Sequence, residues 1–272
     1  MNLTTITAVE RPASPDHITT WRDGYAWLAG GTWLFSEPQV STDTLIDLDG
    51  FGWPALEVSD AGLDIGATCR IAELFAFDAP AEWIAAPLFR DCCNSLLASF
   101  KIWNAATVGG NVCMSLPAGA MISLTAALEG TYTVWPRDGA APEQVSALDF
   151  VTGNNANILR PGALLRSIRL PDSALRKRFA YRQQSLVHLG RSAALIIGTC
   201  GPDGHDFRIT VTAATTRPVQ LHFDDVPTQA ELRREITERL SVDDYFDDVN
   251  GSAPYKQHLT YHFAEQLRAE LS

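Results

Sequence analysis

Two short runs hold the residues best suited to chemistry. The first is Lys101-Ile102-Trp103-Asn104-Ala105-Ala106-Thr107-Val108-Gly109-Gly110-Asn111, continuing to Pro117, where paired glycines sit between a β-branched pair and an asparagine. The second is Leu28-Ala29-Gly30-Gly31-Thr32. Turns of this composition let main-chain N–H groups come close to something large and flat or anionic. Taken alone, Gly30-Gly31 reads equally as an ordinary β-turn, because it lacks the spacing G-x-G-x-x-G. Other chemistry finds no constellation. His17, His188, His205, His222, His258 and His262 are scattered without a partnered arrangement, so no general acid or base is assigned. Cys69, Cys92, Cys93, Cys113 and Cys200 form no C-x-x-C, and their spacing fits neither zinc nor an iron–sulfur cluster. Buried free thiols in a cytosolic protein are the expectation, with no metal ligands and no catalytic residue.

The elements that must position these runs can be placed by pattern. Tyr25 to Ala29 reads as a short buried strand, with Thr32 capping a short helix through Trp33-Leu34-Phe35. Strand, glycine turn and helix start would aim N–H groups at an anion. Leu45–Leu48 and Leu63–Gly66 read as strands. Arg70 to Phe75 reads as a short helix and Trp83 to Phe100 as a longer one, with Ile84, Leu88, Leu96 and Leu97 as its stripe. Residues 101–117 read as the central loop, Ala120 to Leu128 as a buried helix and Thr131 to Trp135 as a strand. Leu164 to Pro171 alternates as a half-exposed strand. Past a polar boundary at 172–178, Phe179–Gln183 reads as a strand and Ala193–Cys200 as an apolar strand or helix. The turn Gly201-Pro202-Asp203-Gly204 leads to the alternating Phe207–Val211, a hairpin signal. Thr228 caps a helix to Leu240. Ser252 caps the last helix, whose stripe is Tyr255, Leu259, Phe263, Leu267 and Leu271. The pattern is α+β in two parts, 1–175 and 176–272.

Bulk properties bound the partners. The 272 residues are 46% apolar and 19% charged, with a formal net charge of -11, the profile of a globular protein with a sizeable core. No basic run offers phosphate neutralisation, so nucleic acid is not expected as a partner. The N-terminus has neither a basic nor an apolar signal region, and the longest apolar run, Ala193 to Gly198, is too short to cross a bilayer. A cytoplasmic protein without membrane contact is expected.

The run Ile102 to Asn111 resembles the I-R-N-x-A-T-I/V-G-G-N signature of the FAD-binding medium subunits of molybdenum hydroxylases, the xanthine dehydrogenase and carbon monoxide dehydrogenase family. Leu28 to Thr32 resembles the family's first flavin loop, L-A-G-G-T. Leu164-Leu165-Arg166-Ser167-Ile168-Arg169-Leu170-Pro171 is similar to its E-L-L-x-x-I-x-L/I-P segment. Asp248-Val249-Asn250-Gly251-Ser252-Ala253, followed by Tyr255-Lys256 and His258-Leu259, is similar to the end of its C-terminal domain. The four matches fall in family order along nearly the whole chain.

The resemblance implies a two-lobed FAD-binding domain of the vanillyl-alcohol-oxidase or PCMH type over 1–175, then a small α+β C-terminal domain over 176–272. FAD would lie between the lobes, both glycine loops touching its diphosphate. Ala29, Gly30, Gly31, Thr32 and Trp33 would hold it from one side, and Thr107, Val108, Gly109, Gly110 and Asn111 from the other. Leu164 and Leu165 would pack near the isoalloxazine ring. On their residues alone, Asn111 also reads as a turn asparagine and Leu164-Leu165 as plain core. Molybdopterin and 2Fe-2S clusters would sit on a large and a small partner chain, with FAD passing electrons to NAD or another acceptor. The sequence departs from the pattern at three places. Trp33 stands where Asp often follows G-G-T, Ala120 replaces the acidic residue closing the second loop, and Arg191 appears where an acidic residue often precedes I-A. These changes alter side-chain contacts to FAD and leave the backbone cradle. Two other readings are a flavin-free assembly subunit and a free-standing flavin oxidoreductase.

Overall fold

A computed structural model of the chain describes residues 4–18, 20–137, 140–187 and 190–272; His188 and the first three residues lie outside these. The strands β1 (Ala8–Glu10), β2 (Tyr25–Leu28) and β3 (Thr44–Asp47) form a parallel sheet with β3 in the middle. The strand expected at 25–29 is therefore an edge strand and only half buried. After it, residues 32–36 form a turn and not a helix. Phe35 N–H donates to the Gly31 carbonyl at 2.8 Å and Ser36 N–H to that of Trp33 at 2.8 Å. Five residues before Pro38 are too few to repay helix nucleation.

A second sheet comes next. Its strands are β4 (Leu56–Ser59), β5 (Gly62–Gly66), β6 (Thr131–Trp135), β7 (Glu143–Ser146) and, after the small hairpin β8 (Val151–Gly153) and β9 (Ala156–Asn157), β10 (Leu164–Pro171). They are antiparallel in the order β4-β5-β10-β6-β7. Helices α1 (Ile71–Ala76), α2 (Pro87–Ser95), α3 (Phe100–Trp103), α4 (Val108–Met114) and α5 (Ala120–Ala127) run between β5 and β6, with short α6 (Ala147–Phe150) and α7 (Asp172–Leu175) on either side of β10.

Two expectations need correction here. The helix expected over 83–100 spans only 87–95. Pro87 occupies its first turn and Leu96 is already extended, since proline carries no N–H for a preceding turn. Ile84 and Leu97, placed on the stripe, are 49% and 57% exposed. The loop expected over 101–117 is mostly helix: α3, a turn at Asn104–Ala106, and α4, whose N-cap Thr107 accepts the Gly110 N–H.

The C-terminal part is an antiparallel sheet of β11 (Arg178–Ser185), β12 (Ser192–Cys200), β13 (His205–Thr212) and β14 (Val219–Asp225) in sequential order. Helices α8 (Gln229–Arg239) and α9 (Ala253–Leu271) complete it. Thr228 and Glu231 form the capping box of α8, and Ser252 caps α9. Leu259, Phe263, Leu267 and Leu271 of the expected stripe are buried, while Tyr255 at its start is half-buried.

All nine residues of β12 are buried. Its side chains alternate between two cores: Leu195 and Ile197 enter the first, Ala194 and Ile196 the second. Helix α5 is buried on every side. It packs against α2, β12 and β13, its Ser123 hydroxyl 2.6 Å from that of Thr212.

An ionic cluster also spans the two parts. Buried Lys177 reaches Glu129 and Asp206, and Arg208 reaches the same two carboxylates at 3.1 and 2.8 Å. Burial alone would raise the Asp206 carboxyl, yet bonds and charge from Arg208 and Lys177 outweigh it and bring it from 3.8 to about 2. A depressed carboxylate stabilises the fold above its ordinary value and loses that contribution as pH falls through the folded one. Below about pH 4 the stability gap between wild type and Asp206→Asn, read by urea unfolding, is thus expected to shrink as pH falls. A gap that widens over that acid range would refute it.

Candidate functional site

A cavity of about 510 Å³ opens between the glycine turn after β2 and the segment from α2 to α5. That is within the range of roughly 300–1,000 Å³ typical of small-molecule sites. One wall is the continuous backbone from Trp27 to Leu34. The facing wall comes from Leu96, Leu97, Ala98 and Ile102, then Ala106, Thr107, Gly110 and Asn111, with Met114, Leu116, Ala118 and Gly119 beyond. Arg191, just before β12, completes it from the C-terminal part.

The two glycine segments meet because Gly30 has no side chain. A Cβ there would lie 1.8 Å from the Ala105 carbonyl oxygen and 3.1 Å from Ala106 Cα. Arg70 holds that same carbonyl, donating from Nη1 at 3.0 Å while its Nη2 pairs with Asp49 at 2.8 Å. Gly31 takes φ +67, the left-handed region that reverses the chain here. The amide N–H groups of Gly30, Gly31, Thr32, Trp33 and Leu34 find no acceptor among the described residues. Successive unpaired amides along a turn are a ready anion cradle.

The other segment works differently from its expected role. The N–H groups that open α4 are already used: Val108 donates to the Cys69 carbonyl at 2.8 Å, Gly109 to that of Ala67 at 3.0 Å and Gly110 to Thr107 Oγ1 at 3.0 Å. The expected second amide cup is therefore closed by the fold itself. Gly109 is a packing glycine, since a Cβ there would sit 2.6 Å from both Ala67 Cβ and its carbonyl oxygen. Asn111 lines the cavity, and its Oδ1 accepts the Met121 N–H at 3.0 Å, satisfying the start of α5. Cys113 also lines the wall; burial pushes its thiol up to about 12, so it stays protonated at neutral pH.

Of the residues singled out from sequence, Ala29, Gly30, Gly31, Thr32, Trp33, Thr107, Gly110 and Asn111 line this one cavity. Val108 and Gly109 lie buried behind it. Leu164 and Leu165 are buried in β10, opposite Trp135 and Val134 of β6, and are not among the lining residues. The extended Leu96-Leu97-Ala98 stretch is not recognisable as a cavity wall from sequence, where it reads as helix; the signal against that helix is Pro87, which marks its first turn and so shortens it. Arg191 stands out in the sequence only as a departure from pattern.

The profile described as the FAD binding domain in molybdopterin dehydrogenase matches residues 7–173. The chain belongs to this family. As a family member it is an FAD-binding, oxidoreductase-type flavoprotein subunit of the molybdenum hydroxylases. Comparison with curated protein sequences returns no match. Among solved structures, the fold is similar to a carbon monoxide dehydrogenase chain from Hydrogenophaga pseudoflava, from enzyme lacking the Mo-pyranopterin moiety of its molybdenum cofactor, with TM-score 0.81, 18% identity and coverage of 98% of this chain and 97% of that one. A chain of reconstituted CO dehydrogenase from Oligotropha carboxidovorans superposes with TM-score 0.79 at 20% identity, covering 96% and 94%. Quinoline 2-oxidoreductase from Pseudomonas putida 86 gives TM-score 0.77 at 19% identity, covering 100% and 99%. These likenesses establish the α+β architecture at full length. Among the described residues, no helix is long and apolar enough to cross a membrane.

Proposed function

We propose that this chain is the FAD-carrying electron-transfer subunit of a xanthine dehydrogenase–carbon monoxide dehydrogenase type complex. Its partners would be a molybdopterin large chain, which oxidises the substrate, and a 2Fe-2S small chain, with NAD or another compound as final acceptor. The observation that carries the reading is a cavity built jointly by both signature segments, with a run of unpaired backbone amides on one wall. Among its described lining residues none is a carboxylate, so nothing on the wall repels a diphosphate.

The chain's own residues would divide the work. Gly30, Gly31, Thr32 and Trp33 would present main-chain N–H groups to the diphosphate, with Ala29 packing beside it. Thr107, Gly110 and Asn111 would form the facing wall, supported from behind by Val108 and Gly109. Leu96, Leu97, Ile102, Met114 and Leu116 would exclude water from the flat ring system. Leu164 and Leu165 would support the site through the sheet. Bound FAD supplies the redox chemistry, and the protein supplies position and electrostatics. The division is into a flavin domain over 1–175 and a C-terminal domain over 176–272, and the second core lies wholly within the latter. Free cysteines without disulfides fit a cytoplasmic location.

Titration of the flavin-free chain with FAD tests the reading. One-to-one binding is expected, with stabilisation of about 2.7 kcal/mol at a hundredfold excess of FAD over its Kd. Partner chains are identified by purifying the native complex. A colourless complex that releases no FAD would overturn the reading in favour of a flavin-free assembly role.

A further inference from the structure

Among the described residues lining the cavity, Arg191 carries the only positive charge and there is no negative one. The side chain is exposed. It makes no ion pair, hydrogen bond or ring contact with the described residues, whereas other arginines of the chain, such as Arg22, Arg70, Arg169 and Arg182, are paired with carboxylates. An arginine with no partner in the fold adds nothing to stability through a salt bridge. It does offer a planar fork of donors matched to phosphate oxygens.

The setting sharpens this. The whole chain carries a formal charge of -11, so its overall field opposes an anion unless local positive charge offsets it. The opening amides of α4, which could have helped, are bonded within the protein. Gln39 Nε2 is likewise occupied by the carbonyls of Leu34 and Glu37, and Ser95 Oγ by that of Cys92. The amides of residues 30–34 remain, with neutral side-chain donors such as Thr32 and Asn111, and the one charged donor on the wall is the Arg191 guanidinium.

We propose that Arg191 neutralises the diphosphate of the bound dinucleotide, closing on it from the C-terminal part while the amides of residues 30–34 hold it from the N-terminal sheet. This rests on the flavin reading of the cavity. It also turns the unusual residue at this position into the charge that fastens the cofactor. Both parts of the chain would then grip one ligand, and binding would depend on their mutual placement.

The test compares FAD with riboflavin, which has the ring system but no phosphate, on the full-length flavin-free chain. Arg191→Ala is expected to weaken FAD binding about 10- to 100-fold, the scale of a charge-assisted hydrogen bond, and to leave riboflavin affinity unchanged. Arg191→Lys should recover part of the loss and Arg191→Glu deepen it. The salt dependence of FAD affinity should be shallower in Arg191→Ala than in wild type. Unchanged melting of the flavin-free variants guards against a folding defect. Wild-type FAD affinity retained in Arg191→Ala, or equal losses for FAD and riboflavin, would overturn the assignment while the flavin reading stands. Wild-type chain that binds neither compound would overturn the flavin reading itself, and this assignment with it.

Discussion

Gly30→Ala is expected to weaken FAD binding about 100-fold and to destabilise the chain. The new Cβ would fall 1.8 Å from the Ala105 carbonyl oxygen and 2.6 Å from its carbon, both backbone atoms. Neither can swing aside as a side-chain tip could, and Arg70 holds that oxygen in place. The glycine turn and the α3–α4 turn must therefore separate. Overpacking of this kind costs about 3 kcal/mol when the neighbours are rigid, and affinity should fall about 100-fold if the ligand spans both segments. Gly52 is the control. It takes φ +62 with nothing within 4 Å of its Cβ position, so Gly52→Ala costs only the left-handed backbone penalty of about 1–2 kcal/mol. FAD titration and urea unfolding of both variants decide the matter. Wild-type FAD affinity in Gly30→Ala would show that contact between the turns is not what shapes the cavity.

Lys256→Met should separate the two effects, with a large loss of stability and FAD affinity intact. Lys256 is fully buried in the first turns of α9. Its ammonium group lies 2.9 Å from Asp248 Oδ1, 3.4 Å from the Ala213 carbonyl and 5.2 Å from the centre of the Phe246 ring. Burial would raise the Asp248 carboxyl, but bonds from Lys256 and Asn250 outweigh it and hold it below the usual range. Methionine keeps the length and the apolar stem. It leaves the carboxylate and the carbonyl without their charged donor. Removing one partner of a buried pair costs roughly 3–5 kcal/mol, and the lower end applies because Asp248 keeps Asn250 and some solvent contact. The double variant with Asp248→Asn should recover part of the loss. A loss below about 0.5 kcal/mol in urea would place this pair with ordinary surface ion pairs.

These two positions also show what the sequence could and could not disclose. The motif from Asp248 to Leu259 was visible as a pattern, and the pair between its first acidic residue and Lys256 supplies a physical reason for it. The cap and stripe of α9 and the capping box of α8 were legible because each is a local signal repeated at helical spacing. Strand β12 was ambiguous between strand and helix because both its faces are buried, which removes the alternation that marks a half-exposed strand. Helix α4 was hidden behind Gly-Gly-Asn, residues with poor helix propensity. It forms because Thr107 caps it and its first amides bond to the carbonyls of Ala67 and Cys69, partners distant in sequence. Arg191 was invisible as a cavity residue for the same kind of reason. Nothing local to it says that the approach to β12 comes round to the glycine turn after β2.

Helix α5 is covered from both halves of the chain, by α2 and α4 on one side and by β12 and β13 on the other. Cut or pulled apart at the polar boundary near residue 175, the protein would leave one largely apolar side of this helix bare in water, ready to stick to its like. Loss of either half should thus drag the other into collapse or clumping, and the molecule should survive or fail as a whole.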